Sequence, residues 1–197
     1  MYKILPLLTG LLISGNPAYA VDLERTKQIV ADKCHLCHGT DGEASSAIYP
    51  RIAGQHKEYI IKQLTDFRSG KRKGTMNEMA VDLKDEEIIG LADYFSAKPP
   101  LTHKIRDKDL EAVGKYIFHK GNKYSGVAAC ASCHGDNGEG NKNLPRLAGQ
   151  HKRYINSQLV DFNQRKRTND NAIMNSIASQ LTELEINAVA LYVSGLK

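Results

Sequence analysis

The chain has 197 residues, a formal net charge of +5, no Trp, four Phe and four Cys. That length holds one medium domain or two small ones, and so modest a positive surplus does not suggest a nucleic-acid-binding protein. The surplus is uneven: residues 21–100 carry 12 Lys+Arg against 13 Asp+Glu, and residues 101–197 carry 14 against 9.

In chain order, residues 1–20 read as a secretory signal peptide. Lys3 supplies the positive start, Ile4 to Ile13 a short apolar run, and Ala18-Tyr19-Ala20 the small-residue cleavage site. The run is too short for a spanning anchor, so a mature, periplasmic chain beginning at Val21 is expected. Leu23, Thr26 and Val30 then recur at helical spacing over Asp22–Lys33, with Asp22 as N-cap. Further helices are expected over Gln55–Arg68, Asp85–Ala97, Asp109–His119, His151–Gln164 and Glu183–Leu196. The last of these is opened by a Thr182–Glu185 capping box. No run of alternating strand pattern occurs, so the expected class is all-α.

The order of landmarks repeats. Arg51-Ile52-Ala53-Gly54-Gln55-His56-Lys57 returns as Arg146-Leu147-Ala148-Gly149-Gln150-His151-Lys152. Gln63-Leu64-Thr65-Asp66-Phe67 returns as Gln158-Leu159-Val160-Asp161-Phe162. Met76-Asn77 returns as Met174-Asn175, and Tyr94 as Tyr192. The chain is a duplication, with domains expected at 21–99 and 100–197 and a join near Lys98-Pro99-Pro100, where two prolines stop a helix. The loop His119–Ala129 has no counterpart in the first copy, and Gly70–Thr75 is shorter than Arg165–Ile173.

Each copy holds one cysteine pair, Cys34-His35-Leu36-Cys37-His38 and Cys130-Ala131-Ser132-Cys133-His134. Exported chains with paired cysteines usually form disulfides, but C-x-x-C-H is the attachment signature of c-type haem. Two thiols one helical turn apart can meet two vinyl groups, and the histidine that follows turns toward iron. A thioredoxin-like pair would need an α/β pattern, and zinc would need two such pairs in one module. Two haem c groups are expected, held by Cys34, Cys37, Cys130 and Cys133, with His38 and His134 as iron ligands. A covalent porphyrin would also fill the core of a small domain poor in large apolar residues.

A sixth ligand decides between carrier and catalyst. Beyond the first residue the methionines are Met76, Met79 and Met174. The repeat pairs Met76 with Met174, which makes these two the expected distal ligands, while Met79 falls opposite Ile177 as core packing. His56 and His151 are weaker candidates for iron, expected instead at a helix start or the domain interface. His103 and His119 are expected to face solvent, Arg51 and Arg146 to meet haem propionates or to lie as surface arginines, and the runs Lys71-Arg72-Lys73 and Arg165-Lys166-Arg167 to be solvated or to dock an acidic oxidase face or anionic lipid.

Together these features resemble the dihaem cytochromes c of the c4 family. The resemblance implies two class I cytochrome c domains with their haem edges close. It implies that Pro50 and Pro145 orient the proximal imidazoles through their carbonyls. It also implies a carrier, not an enzyme, passing single electrons between a quinol-oxidising complex and a terminal oxidase, with respiratory protein partners, peripheral membrane association and no small-molecule substrate. A haem subunit of a periplasmic dehydrogenase would carry the same module, and a dihaem peroxidase would need one iron that opens.

Overall fold

A computed structural model describes residues 21–197; the expected signal peptide lies outside the described residues. Among the described residues ten α-helices follow one another. They are α1 (Leu23–Ile29), α2 (His35–His38), α3 (Lys57–Arg68), α4 (Met76–Ala80), α5 (Asp85–Ser96), α6 (Lys108–Lys120), α7 (Ala131–His134), α8 (Lys152–Asn163), α9 (Ile173–Ala178) and α10 (Glu183–Ser194). Among the described residues there is no strand, only the isolated bridges Asn122–Val127 and Asn141–Leu144.

Apolar burial gathers in two clusters. One joins Ile29, Val30, Ile60, Phe67, Ile88, Leu91 and Phe95, and the other Ile117, Phe118, Ile155, Ile186, Val189 and Val193. In each, the first helix crosses the last. The crossing needs small residues: a Cβ on Gly90 of α5 would lie 2.3 Å from Thr26 Oγ1 of α1, and one on Gly114 of α6 would lie 2.1 Å from the Ala188 carbonyl of α10. The glycine has changed helix between the copies while the close approach is kept.

The expected N-caps are present. Asp22 accepts from the Arg25 amide at 2.9 Å, and Thr182 and Glu185 form a reciprocal box on α10. The first helix departs from expectation, because a π-helical turn at Val30–Cys34 interrupts it and re-aims the chain into α2. An extra residue in a turn shifts the side chains beyond it around the axis, here those of the first cysteine motif. The inserted loop after α6 closes on itself, with the Asn122 and Val127 amides and carbonyls exchanging bonds at 2.9 and 3.0 Å. Its Asn122 amide donates to Glu185 at 2.7 Å.

Three expectations are corrected. His103 and His119 do not face solvent freely: His103 is half-buried against His151 at 3.0 Å, and His119 Nε2 lies 2.9 Å from the Tyr192 hydroxyl. The two basic runs are not solvated throughout. Arg72 is 8% exposed and Arg167 half-buried, and both turn into the domain interface, because their guanidiniums find neutral acceptors there. Met79 is 40% exposed and is no core residue, while Ile177 does pack on the second cluster.

Candidate functional site

Each cysteine motif sits on a single helical turn ended by a glycine with positive φ, Gly39 at +70° and Gly135 at +82°. A residue with a Cβ is strained in that conformation, and its Cβ at Gly39 would lie 2.9 Å from the Glu43 carbonyl. The loop beyond returns to the motif in the same way twice. The Gly42 carbonyl accepts from Ile52 and Ala53 at 2.8 and 3.2 Å, and that of Gly138 from Leu147 and Ala148 at 2.7 and 3.0 Å. This fold-back delivers the Pro50 carbonyl to His38 Nδ1 at 2.9 Å and the Pro145 carbonyl to His134 Nδ1 at 3.2 Å.

A carbonyl only accepts, so both Nδ1 atoms carry hydrogen and both Nε2 atoms keep a free lone pair. Burial lowers the pKa of both imidazoles, only partly opposed by the proline carbonyls. Neutral, oriented imidazole is the form that binds a metal.

None of the four cysteines is in a disulfide. Burial pushes Cys34 and Cys130 up to about 11, with Lys33 opposing weakly at Cys34. A redox-active dithiol would show the opposite, a thiol lowered toward neutrality. Among the described residues no three His, Cys, Asp or Glu side chains converge as a metal site. The donor set left is one buried imidazole and two thiols per motif, which fits a metal already held by a macrocycle and does not fit a protein-ligated zinc.

In each copy the segment that carries the methionine is pinned by the asparagine that follows it. The Asn77 amide donates to the Phe67 and Arg72 carbonyls at 2.6 and 2.8 Å, and that of Asn175 to the Phe162 and Arg167 carbonyls at 2.7 and 2.8 Å. Met76 is half-buried against the first cluster, and Met174 is half-buried at the start of α9. Reading for ligands alone passes over these two asparagines; the repeated Met-Asn pair is their signal. The longer second loop absorbs its extra residues with Asn171 and Ala172 at positive φ.

The copies meet through a pseudo-twofold set of bonds. The Gln55 side chain takes both the Arg146 amide (2.9 Å) and carbonyl (3.0 Å), and the Gln150 side chain does the same to Arg51 at 2.9 and 2.8 Å. His56 Nε2 donates to the Glu139 carbonyl at 2.8 Å and His151 Nε2 to the Ala44 carbonyl at 2.7 Å. These histidines therefore serve the interface. Arg51 is engaged with Glu43 at 2.8 Å and with the Gly149 carbonyl at 2.8 Å. Arg146 keeps a buried Nε without a partner among the described residues.

Comparison with known proteins agrees with this construction. The family model described as "Cytochrome c" matches residues 112–197, and "Cytochrome C oxidase, cbb3-type, subunit III" matches residues 21–95. Cytochrome c4 of Azotobacter vinelandii is 36% identical over 98% of this chain and 98% of its own length. The thiosulfate dehydrogenase electron acceptor of Stutzerimonas stutzeri strain A1501 is 37% identical over 81% of this chain and 76% of its own. The crystal structure of reduced recombinant cytochrome c4 from Pseudomonas stutzeri superposes with a TM-score of 0.84 at 35% identity, covering 90% of this chain and all of that one. The chain belongs to the cytochrome c4 family, dihaem electron-transfer proteins with two cytochrome c domains and two covalent haem c groups.

Proposed function

We propose that the chain is a periplasmic shuttle that takes single electrons from a quinol-oxidising complex and delivers them to a terminal oxidase or another respiratory acceptor. In this reading Cys34, Cys37, Cys130 and Cys133 form the thioethers, His38 and His134 are the proximal iron ligands, and Met76 and Met174 the distal ones. The observation that carries it is the twofold repetition of one arrangement: a buried imidazole fixed by a proline carbonyl, and, farther along each copy, a half-buried methionine followed by an asparagine that pins its segment. Haem iron, when bound, supplies a one-electron couple.

The chain's own residues set how that couple behaves. Pro50 and Pro145 hold the imidazoles in one tautomer and orientation, which keeps ligand geometry unchanged between oxidation states. A thioether favours the reduced state and so a higher potential. A histidine and a methionine held to each iron would leave no place for a substrate, which supports a carrier over a peroxidase. Among the described residues no helix is long and apolar enough to cross a membrane, compatible with a mobile periplasmic carrier.

The relative named as a thiosulfate dehydrogenase electron acceptor favours a second reading, in which the chain accepts electrons from a periplasmic dehydrogenase. Co-purification from the native membrane and periplasmic fractions separates the two.

The test of the carrier reading is a pyridine haemochrome count together with oxidised and reduced visible spectra. Two haems c per chain, both low-spin and unreactive to carbon monoxide, are expected. A high-spin haem that binds carbon monoxide readily would overturn it.

A further inference from the structure

Most of the cations with defined partners are neutralised locally. Arg25, Lys57, Lys62, Arg68, Lys98 and Lys108 each meet a carboxylate within 2.8 Å. One region differs. The linker after Pro100 and the start of α8 together line a groove of about 700 Å³ into which Lys104, Arg106, Lys152 and Arg153 are set. None of these four is in an ion pair among the described residues. The only carboxylate lining the groove is Asp107, and it is turned to its own helix, accepting the Leu110 amide at 2.9 Å as the N-cap of α6.

The linker is fixed, not draped. The His103 amide donates to the Ser194 carbonyl at 3.1 Å, and the His103 ring meets His151 at 3.0 Å. Ile105 lies so close to the end of α10 that a Cβ on Gly195 would come within 2.4 Å of it. Four positive charges from two separate segments are thus carried on a rigid concave frame, and this frame belongs to the half of the chain with the cationic surplus. Like charges held together unneutralised destabilise a fold slightly, and a concave wall of one sign concentrates potential within it.

We infer that this groove is the docking surface for an acidic protein partner, a chain that inserts a carboxylate-bearing segment between the linker and α8. The inference rests on the carrier reading above and names the surface through which its encounter occurs. Two other anions fit less well. A single tetrahedral oxyanion fills little of such a volume, and Lys104, Arg106 and Arg153 are exposed side chains without the buried donors that fit a small ion. A bilayer surface offers no chain segment to lie along the depression between the linker and α8. Membrane-lying elements also pair cations with several protruding apolar side chains, whereas Ile105 here is buried and Leu101 is the one large apolar residue of the linker that protrudes.

The experiment uses the haem-loaded protein and a short poly-L-glutamate peptide as probe, followed by calorimetry at low ionic strength. Lys104→Glu with Arg153→Glu should weaken binding about tenfold or more, and Lys104→Gln with Arg153→Gln should weaken it by less. Lys71→Glu with Lys73→Glu, both exposed and outside the groove, should leave binding within about twofold. Equal weakening by the two reversals would overturn the proposal. So would tighter binding to vesicles of phosphatidylglycerol and phosphatidylcholine than to the peptide, or displacement of the peptide by inorganic sulfate beyond that by chloride at equal ionic strength. Each sample is also reduced with ascorbate. Failure of the haems to accept electrons would sink the carrier reading, whereas normal reduction with groove-independent binding would sink only the docking surface.

Discussion

The Arg72 guanidinium reaches across the domain interface to the Tyr154 hydroxyl at 3.0 Å, and the Arg167 guanidinium crosses the other way to the Tyr59 hydroxyl at 2.9 Å. The two cations also share acceptors. Gln158 Oε1 lies 2.7 Å from Arg72 and 2.8 Å from Arg167, and Gln63 Oε1 lies 2.7 and 3.3 Å from them. Each guanidinium stacks on a phenylalanine of its own domain, Phe67 or Phe162, 4.5 Å from the ring centre. Burial acts to raise the Tyr154 hydroxyl, but the Arg72 and Arg167 charges outweigh it and its pKa is lowered. The network thus binds the domains with charge-assisted bonds, strong when satisfied and costly when half-made.

Arg72→Gln should therefore cost about 2–3 kcal/mol, a fall in Tm of roughly 5–10 °C. Lys71→Gln beside it, exposed, should stay within about 0.5 kcal/mol. Because the two guanidiniums share acceptors and repel each other, Arg72→Gln with Arg167→Gln should cost less than the sum of the single changes. Thermal unfolding of the four variants decides it; strict additivity would show that the two cations are not coupled.

Alanine is worth about 1 kcal/mol over glycine inside a helix, yet Gly114→Ala is expected to destabilise. Its Cβ would lie 2.1 Å from the Ala188 carbonyl, a backbone group of the crossing helix that cannot swing aside. Overpacking of this kind typically costs about 1–3 kcal/mol or more, so the clash exceeds the propensity gain. Gly90→Ala meets side chains alone, Thr26 Oγ1 at 2.3 Å and Val21 Cγ1 at 3.1 Å, and should be largely rescued by Thr26→Ala, which removes the nearer of the two. Denaturant unfolding of Gly90→Ala with and without that second change checks the geometry; absence of rescue would place the obstacle in the backbone.

Local chemistry was readable in the sequence where it depends on neighbours in the chain. The Asp22 cap and the Thr182–Glu185 box are fixed by residues within a few positions of one another, and each is present. What failed was what depends on distant partners. Lys71-Arg72-Lys73 reads as a solvated run because nothing local indicates that Arg72 alone turns inward to acceptors on α8. His103 has no counterpart in the first copy, so the repeat could not suggest its partner His151. Met79 was placed in the core by its alignment with Ile177, but on the single turn of α4 the buried position is Ala80.

The methionines give a spectroscopic prediction. Met76→Ala and Met174→Ala should each remove about half of the far-red methionine-to-iron band and lower the potential of one haem. Met79→Ala, at an exposed position, should leave both unchanged. Loss of the band with Met79→Ala and its survival with Met76→Ala would exchange the two assignments.

The His103–His151 pair makes interface stability depend on pH. The Ala44 carbonyl only accepts, so His151 Nε2 carries hydrogen, His151 Nδ1 accepts, and His103 Nε2 donates to it. Burial is the main cause lowering both pKa values below the ordinary 6.5. The Arg51 charge adds to this at each, while the Ala44 bond and Glu43 oppose it at His151. The unfolded chain thus binds protons here that the folded chain refuses. Stability is complete above about pH 7 and falls as the pH drops through 6.5, by at most about 1.4 kcal/mol per pH unit for each proton taken up. Glu87 and Glu185 act separately and lower. At Glu87 the Lys84 amide leads in lowering the carboxyl; at Glu185 burial opposes, and the Thr182 and Asn122 bonds outweigh it. Their contribution is present above 4.5 and is lost as the pH falls through their folded values. His38 and His134, bound to iron in the proposed site, would not titrate in this range. His151→Gln should flatten the stability profile between about pH 7 and 5.5. An unchanged slope in His151→Gln, followed by thermal unfolding of the haem-loaded protein across that range, would assign the dependence elsewhere.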